Sequence, residues 1–362
     1  MNLADMLSFA DIVQLSRIAD HYGCECSGHS KNELIQSILQ TVGRRDFIDQ
    51  HVSGMSMEDL RFLNTLLFDG RHQFSLEELM ACAGASRFTQ DAKERENPRE
   101  MIARFRQRGW LFNGSTQSTR YLYQVPEDLK LRFREALEHR FKAEVMSAKA
   151  EPSMYREEPE MLPTDLLIFL DYVEKHEIPL NSEGVMYRRN QLQILESLHV
   201  SEALAPKGWR FGYGRRFKDY PNRFALLYDY AYHSRLIQEN SSHLVLTEAG
   251  KSYLAEKQRE PMIQFVRFWL RLYKGPIPNL LSLVYWVERC SKDWVTVSSL
   301  FGRVESLIKP FYYDSPKSIF EERILQMMLH LGMVRIGEDE HQERYVQTTL
   351  FGSKAVEWLQ KK

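Results

Sequence analysis

Apolar residues recur at helical spacing along most of this chain, and short alternating segments interrupt the helical stretches in pairs. Ile12, Leu15, Ile18 and Ala19 share one helix face, as do Leu34, Ile35, Ile38 and Leu39. The first 42 residues therefore read as two short helices around a Gly-containing turn. Ser30 and Glu33 stand at capping-box spacing before the second of them. From Ser56 onward, MEDLRFLNTLLF and SLEELMACAG predict two more helices, the latter with Ser75 as N-cap and Glu78 at the box position. PREMIARFRQRG predicts a third helix, started by Pro98 and stopped by Gly109. WLFNGSTQSTRYLYQV then alternates as two strands about Asn113–Gly114.

The stretch from Leu162 to Leu254 runs through the same kinds of element. A periodic helix, LPTDLLIFLDYVEKH, leads into EIPLNSEGV, a short strand and turn. A helix carrying YRRNQLQILESL comes next, then a basic and aromatic loop, the helix FALLYDYAYHS and two strands in RLIQENSSHLVLTEAG. A third unit begins at Pro261 with MIQFVRFWLRLYKG and continues through LLSLVYWVERC and VTVSSLFGRVESLIKPF. It ends with SIFEERILQMMLHLGMVRIG and the return strand ERYVQTTLFGSKAVEWL. Three times a helix runs into a strand, a polar turn and a second strand, and in the last two a Thr-x-x-Gly step (Thr247–Gly250, Thr349–Gly352) enters a closing helix. Helix, strand, helix, helix and two-stranded ribbon is the order of a winged helix-turn-helix. The expected fold is thus mainly α with small β-wings (α+β): tandem winged helix-turn-helix units preceded by a short helical hairpin. The expected divisions are a helical module at 1–50 and a first unit at 56–142. Residues 143–161, rich in Pro and acids and without periodicity, read as a linker. The second and third units fall at 162–258 and 260–362.

Composition narrows the function classes. With 43% hydrophobic and 12% aromatic residues the chain can fill packed cores. A net charge of −1 gives no global field, so contact with nucleic acid has to come from local patches. Four scattered cysteines form no disulfide framework, no apolar run reaches membrane-spanning length, and MNLADMLSFADIV is no signal peptide. A cytoplasmic protein without a membrane partner is expected.

Motifs for enzymes are absent. The chain has no Gly-x4-Gly-Lys-Ser/Thr loop, HExxH or GxSxG. Gly212-x-Gly214 lacks the third glycine and the strand–helix setting of a dinucleotide fingerprint. Glu157–Glu158 lies in the linker-like segment and reads as solvated. Cys24-x-Cys26-x-x-His29 offers three ligands where a structural zinc site needs four, so buried Cys and surface His is the simpler reading. No cofactor is expected.

The basic and aromatic loop holds the most pointed chemistry. Lys207, Arg210, Arg215, Arg216, Lys218 and Arg223 face one acid, Asp219, and Trp209, Phe211, Tyr213, Phe217 and Tyr220 are interleaved with them. Cations neutralise phosphates and rings offer stacking faces, which together suit a nucleic-acid surface. Arg188 and Arg189 on the preceding helix extend the patch. In the alternative reading, the rings fold inward as a lid on the core of their own unit and the arginines bind acids on a neighbouring domain. A second basic patch comes from Arg104, Arg106 and Arg108, in a span between Arg87 and Lys149 with fourteen Lys/Arg against nine Asp/Glu. The alternative there is a solvated helix face. The third unit carries an acidic turn, Glu338, Asp339, Glu340 and Glu343, which suits protein better than phosphate.

Two resemblances add to these readings. Gly28, Lys31, Leu34 and Ile35 match the Gly-x-x-Lys-x-x-Leu-Ile pattern of SAP and Rho-N-like modules, which commonly touch nucleic acid; this makes Lys31 a candidate contact. Residues 160–355 resemble the bacterial helicase-associated winged-helix proteins similar to the N-terminal region of XPB-type helicases. The residues that carry it are Leu166–Tyr172, Ile178–Pro179–Leu180, Gly184, Tyr187-Arg188-Arg189, Leu192, Leu195 and Leu244–Gly250. The resemblance implies a non-catalytic DNA-repair or transcription accessory that works with a separate helicase or other DNA-processing protein. Two alternatives stand beside it: an assembly subunit of a chromosome-organising complex with little DNA affinity, and an unrecognised nuclease.

Overall fold

The computed structural model describes residues 1–24, 30–88, 97–240 and 242–361. At 55% helix and 10% strand, with all named strands antiparallel, the chain is mainly α with small β sheets. It divides into two units, Met1–Val145 and Met146–Lys362.

In the first unit, α1 (Leu3–Phe9) and α2 (Ile12–His21) start at Asn2 and Asp11, whose side chains accept the orphan N–H groups of Asp5 and Gln14. Ser30 caps α3 (Lys31–Gly43) in the same way, and α4 (Arg45–Ser53) follows. The opening thus holds three helices where two are expected, and a fourth before residue 56. Next come α5 (Met57–Phe68), α6 (Leu76–Ala85) and α7 (Pro98–Gln107). The strands β1 (Phe112–Asn113) and β2 (Tyr123–Gln124) and the helix α8 (Glu127–Lys142) complete it.

The expected boundary near residue 50 is not a break in packing. Leu3 N–H donates to Asp128 on α8 at 2.8 Å, Arg132 donates to the Val42 and Arg44 carbonyls at 2.6 and 2.9 Å, and Arg140 donates to the Val52 carbonyl at 2.8 Å. Buried Trp110 meets His51, Phe105 and Phe133 edge-on. Short helices are marginal alone, so α1–α4 bury their apolar faces on a core that includes Phe133 and Leu137 of α8. Helix α8 is an element beyond the three helices and two strands expected of this unit.

In the second unit, β3 (Met154–Arg156) precedes α9 (Met161–Lys175), β4 (Ile178–Pro179) and α10 (Arg188–Ser197). Next are α11 (Asn222–His233), β5 (Ile237–Glu239), β6 (His243–Leu246) and α12 (Glu248–Ala255). The chain goes on through α13 (Met262–Tyr273), α14 (Leu280–Cys290), β7 (Val295–Thr296) and α15 (Val297–Val304). A short α16 (Pro316–Ser318) passes through a π-helical segment, Ile319–Leu325, into α17 (Gln326–His330). The chain closes with β8 (Val334–Glu338), β9 (Arg344–Thr348) and α18 (Leu350–Gln360).

One arrangement recurs three times: a helix, a short extended segment, further helices, and two strands of which the last pairs with that segment. Phe74 bridges Tyr123 on β2, and the other two sheets run β4-β6-β5 and β3-β8-β9-β7. Each time the helix before the two strands ends on a left-handed residue, Gly109, Arg235 or Gly332, at φ 65°, 57° and 67°. The following N–H then reaches back over the last turn: Trp110 to Phe105, Leu236 to Ala231 and Met333 to Met328, at 2.9, 2.9 and 2.8 Å. Thr247 and Thr349 cap α12 and α18 by accepting from Gly250 and Gly352 N–H, both at 3.0 Å. A Cβ on either glycine would stand 2.0 or 2.1 Å from the carbonyl oxygen of Leu236 or Met333, so the Thr-x-x-Gly step is a cap joined to a close helix–strand crossing.

Residues 143–161 are not a free linker. Met154, Tyr155 and Arg156 pair with Glu338, Gly337 and Ile336, adding an edge strand to the last sheet. Glu158, two residues on, is 1% exposed. All three residues of β3 are exposed, so no alternation marks it, and its partner lies far along the chain.

Candidate nucleic-acid interface

The loop between α10 and α11 is held by its own arginines. Arg216 is buried and donates to the Gly184 and Glu183 carbonyls at 2.6 and 3.1 Å and to Glu239 at 2.8 Å. Arg215 makes a two-pronged pair with the same carboxylate, one prong at 2.6 Å, and lies 4.0 Å over the Tyr232 ring. Tyr228 O–H also donates to Glu239, at 2.7 Å. Burial alone raises the Glu239 carboxyl, but bonds from Arg215, Arg216 and Tyr228 outweigh it and bring the group down to about 2. Arg210 donates to the Phe217 and Tyr220 carbonyls at 2.8 and 2.6 Å and to Asn222. Arg223, 0% exposed, donates to Glu158 at 3.2 Å and pairs with Asp165 at 2.6 Å. The expectation that Arg210 and Arg216 stand at an open phosphate-facing surface is therefore corrected, whereas Arg215 stays exposed with its guanidinium engaged by Glu239. A guanidinium with carbonyl and carboxylate partners inside the fold is worth more there than in water.

The rings divide. Tyr213 and Tyr220 turn inward; Tyr220 O–H accepts from Met186 N–H at 3.1 Å, while Tyr213 packs edge-on against Tyr273 of α13. Beneath them Asp229 accepts from Arg215 N–H at 2.8 Å through one oxygen, and its other oxygen has no partner among the described residues. Burial raises this carboxyl above the ordinary carboxylate range. The adjoining cavity, lined by Tyr213, Asn222, Asp229 and Arg323 among others, is about 10 Å³, room for one water.

Besides Arg215, the candidates Arg188, Arg189, Lys207, Trp209 and Lys218 are exposed in this region. Arg188, in the first turn of α10, reaches the Ala205 carbonyl at 3.4 Å, which brings the start of that helix against the approach to Lys207. Trp209 is 69% exposed, and it is not alone. Its ring meets Tyr313 edge-on at 4.7 Å, and Phe211 contacts Trp209, Tyr213, Phe311, Tyr312 and Tyr313. Tyr312 and Tyr313 are 82% and 73% exposed. They form a tight turn in which Phe311 and Asp314 exchange N–H···O bonds of 3.1 and 2.9 Å. Tyr312 sits at φ 49°, a costly conformation for a bulky residue.

Arg323 holds both loops. From the π-helical segment it donates to Asp314 at 2.9 Å and to the Phe211 carbonyl at 3.0 Å. A π-bulge re-aims side chains relative to an α-helix and is frequent at functional sites. Sequence reasoning missed Tyr312, Tyr313, Asp314 and Arg323. A Pro-Phe-Tyr-Tyr-Asp run after a helix was the available signal, since adjacent tyrosines between Pro and Asp suit a turn better than a core.

In the first unit, Arg104 and Arg108 donate to buried Asp59 at 2.7 and 3.3 Å, which corrects their assignment to an open patch. Arg106 bonds Asn113 at 3.4 Å and lies over the Tyr123 ring. Lys31 is exposed and donates to the Ser8 carbonyl at 2.7 Å. Gly28, Cys26 and His29 lie outside the described residues, so neither the SAP-like pattern nor the metal reading is described there; Cys24 Sγ is 3.5 Å from Thr41 Oγ1. Among the described residues no three His, Cys, Asp or Glu side chains group as metal ligands, and no helix is long and apolar enough to cross a membrane.

One further cluster was not foreseen. Glu158, expected in solvent, accepts from His330 at 3.0 Å and pairs with Arg223 and Arg156 at 3.2 and 2.6 Å. Burial raises its carboxyl, and His330, Arg223 and Arg156 together hold it below the ordinary value. Asp165 joins through Arg223 and accepts His199 N–H at 3.0 Å. No family model matches the chain, and no curated protein matches its sequence.

Proposed function

We propose that this chain is a non-catalytic nucleic-acid-binding adaptor built of three winged-helix units behind an N-terminal helical module. The thrice-repeated order of elements, with the first extended segment paired to the last strand, supports the winged-helix reading. So do the shared helix ends at Gly109, Arg235 and Gly332. The observation that carries the binding reading is the exposed cations Arg188, Arg189 and Lys207, on the helix and loop that lead to exposed Trp209, whose ring meets Tyr313. The helicase-associated resemblance supports a DNA-processing partner such as a helicase. Its residues are the ones the second repeat is built on: Leu166, Phe169 and Leu170 fill the core and Ile178 pairs with Leu244.

The experiment is a titration of labelled DNA at several salt concentrations, with the full chain and with Arg188→Glu/Arg189→Glu/Lys207→Glu. Each lost phosphate contact reduces the slope of log K against log salt by roughly 0.7 on single strands or 0.9 on duplex. The triple substitution is expected to flatten the slope by about two on single strands or nearly three on duplex and to leave thermal melting unchanged, because all three side chains are exposed. An unchanged slope in the variant, or no binding at low salt, overturns the proposal.

A further inference from the structure

We infer that Trp209, Tyr312 and Tyr313 form a stacking platform for unpaired bases, so that the ligand of this surface is a single strand rather than a duplex. The inference rests on the nucleic-acid reading above and sharpens it. Three large rings, 69%, 82% and 73% exposed, stand together on two loops that are far apart in sequence. Phe211 lies beneath them, half-buried, with Tyr213 and Phe311 beside it. The turn that displays Tyr312 and Tyr313 accepts a left-handed backbone at Tyr312 and is pinned by Arg323 through Asp314, the same guanidinium that pins Phe211. Strain held by a buried ion pair, with aromatic faces to solvent as its result, is a built feature.

Charge selects the ligand class. Lys207 and Lys309 flank the two loops, and Arg188 and Arg189 begin the helix that touches Ala205. The nearby carboxylates are engaged: Asp314 with Arg323, and Glu202 with the N–H groups of Arg223 and Phe224 at the start of α11, at 3.0 and 2.9 Å. Glu322 is the exposed exception, 3.8 Å from Arg323. Aromatic faces rimmed by cations match a phosphate backbone with its bases turned out. In a duplex the base faces are stacked on one another and closed to side chains, so the rings gain nothing from it except at an end.

The test measures binding of the full chain to a labelled oligo-dT, to the same strand with abasic sites in place of bases, and to a duplex of equal length. Wild type is expected to prefer the single strand and to bind the abasic strand more weakly. Trp209→Ala/Tyr313→Ala is expected to lose roughly 10- to 100-fold on oligo-dT with the same salt slope, and to bind both single strands alike. Trp209→Phe keeps a ring and is expected to retain most of the affinity. Because both positions are exposed, circular dichroism should report an unchanged fold. Equal wild-type affinity for oligo-dT and the abasic strand would mean contact with phosphate only and would overturn the platform. So would a wild-type affinity for the duplex equal to or above that for oligo-dT, or loss of a protein partner alone in those variants. In those cases the charge substitutions at Arg188, Arg189 and Lys207 still test the broader nucleic-acid reading separately, which falls when they leave the salt slope unchanged or when nothing binds at low salt.

Discussion

Glu239 receives two guanidiniums and a phenol, and its lowered pKa makes it a reporter of the loop's attachment. A carboxyl brought from its ordinary 4.5 down to about 2 in the folded chain adds stability that is complete above about pH 5 and lost as pH falls towards 2. The contribution is on the order of 3 kcal/mol. Glu239→Gln is expected to remove it at pH 7 and to flatten the acid limb of the stability curve, measured by urea unfolding between pH 2 and 7. An identical pH dependence in the two proteins would refute the assignment. The same network explains what could not be read from residue types. Six cations in one loop announce a chemistry, but whether a guanidinium faces solvent or a carbonyl depends on acids brought in by folding. Glu239 is 23 residues from Arg216, in a strand whose own pattern says nothing of it. Arg104 and Arg108 with Asp59 repeat the case across 45 and 49 residues.

At the scale of the element, the repeated helix end is a natural comparison of three chemistries in one conformation. Two repeats use glycine at the left-handed position, and the middle one uses Arg235, at φ 57° and exposed. A side chain in that region costs about 1 kcal/mol relative to glycine. Arg235→Gly is accordingly expected to raise stability by about 0.5–1 kcal/mol, against a loss of more than that for Gly332→Ala. Equal shifts of thermal midpoint in the two variants would show that the repeats are not equivalent. Much at this scale was legible. Ser30, Ser75, Pro98 and Gly109 mark helix ends because each solves a local hydrogen-bonding or torsional problem. The Thr-x-x-Gly steps are likewise local in the cap, whereas the close approach to Leu236 and Met333 that demands the glycine is tertiary and was hidden. The π-helical segment is another such case, since nothing in IFEERIL distinguishes it from an ordinary amphipathic turn.

For the whole molecule, the point that changes the division of the chain is residues 146–161. Pro and acidic composition suggested a tether, yet Ser147 bridges Val295, Met154–Arg156 pair with β8, and Glu158 lies buried between Arg223 and His330. The segment belongs to the second unit, so the point of division is near Val145 and not at Leu162. A fragment of residues 146–362 is therefore expected to melt cooperatively. A fragment of residues 162–362 leaves Arg223, wholly buried, with Asp165 as its remaining carboxylate and His330 without Glu158. Removing one partner of a buried ion pair costs about 3–5 kcal/mol, so the shorter fragment should melt far lower or be unfolded. Glu158→Gln in the full chain keeps the strand and removes only the charge. If the ion pair carries the effect, this substitution alone reproduces most of the loss. If β3 carries it, the substituted chain melts like wild type while the short fragment still fails. Equal melting of both fragments and of wild type would return the segment to the status of a tether, because neither the strand nor the carboxylate would then be holding the unit together.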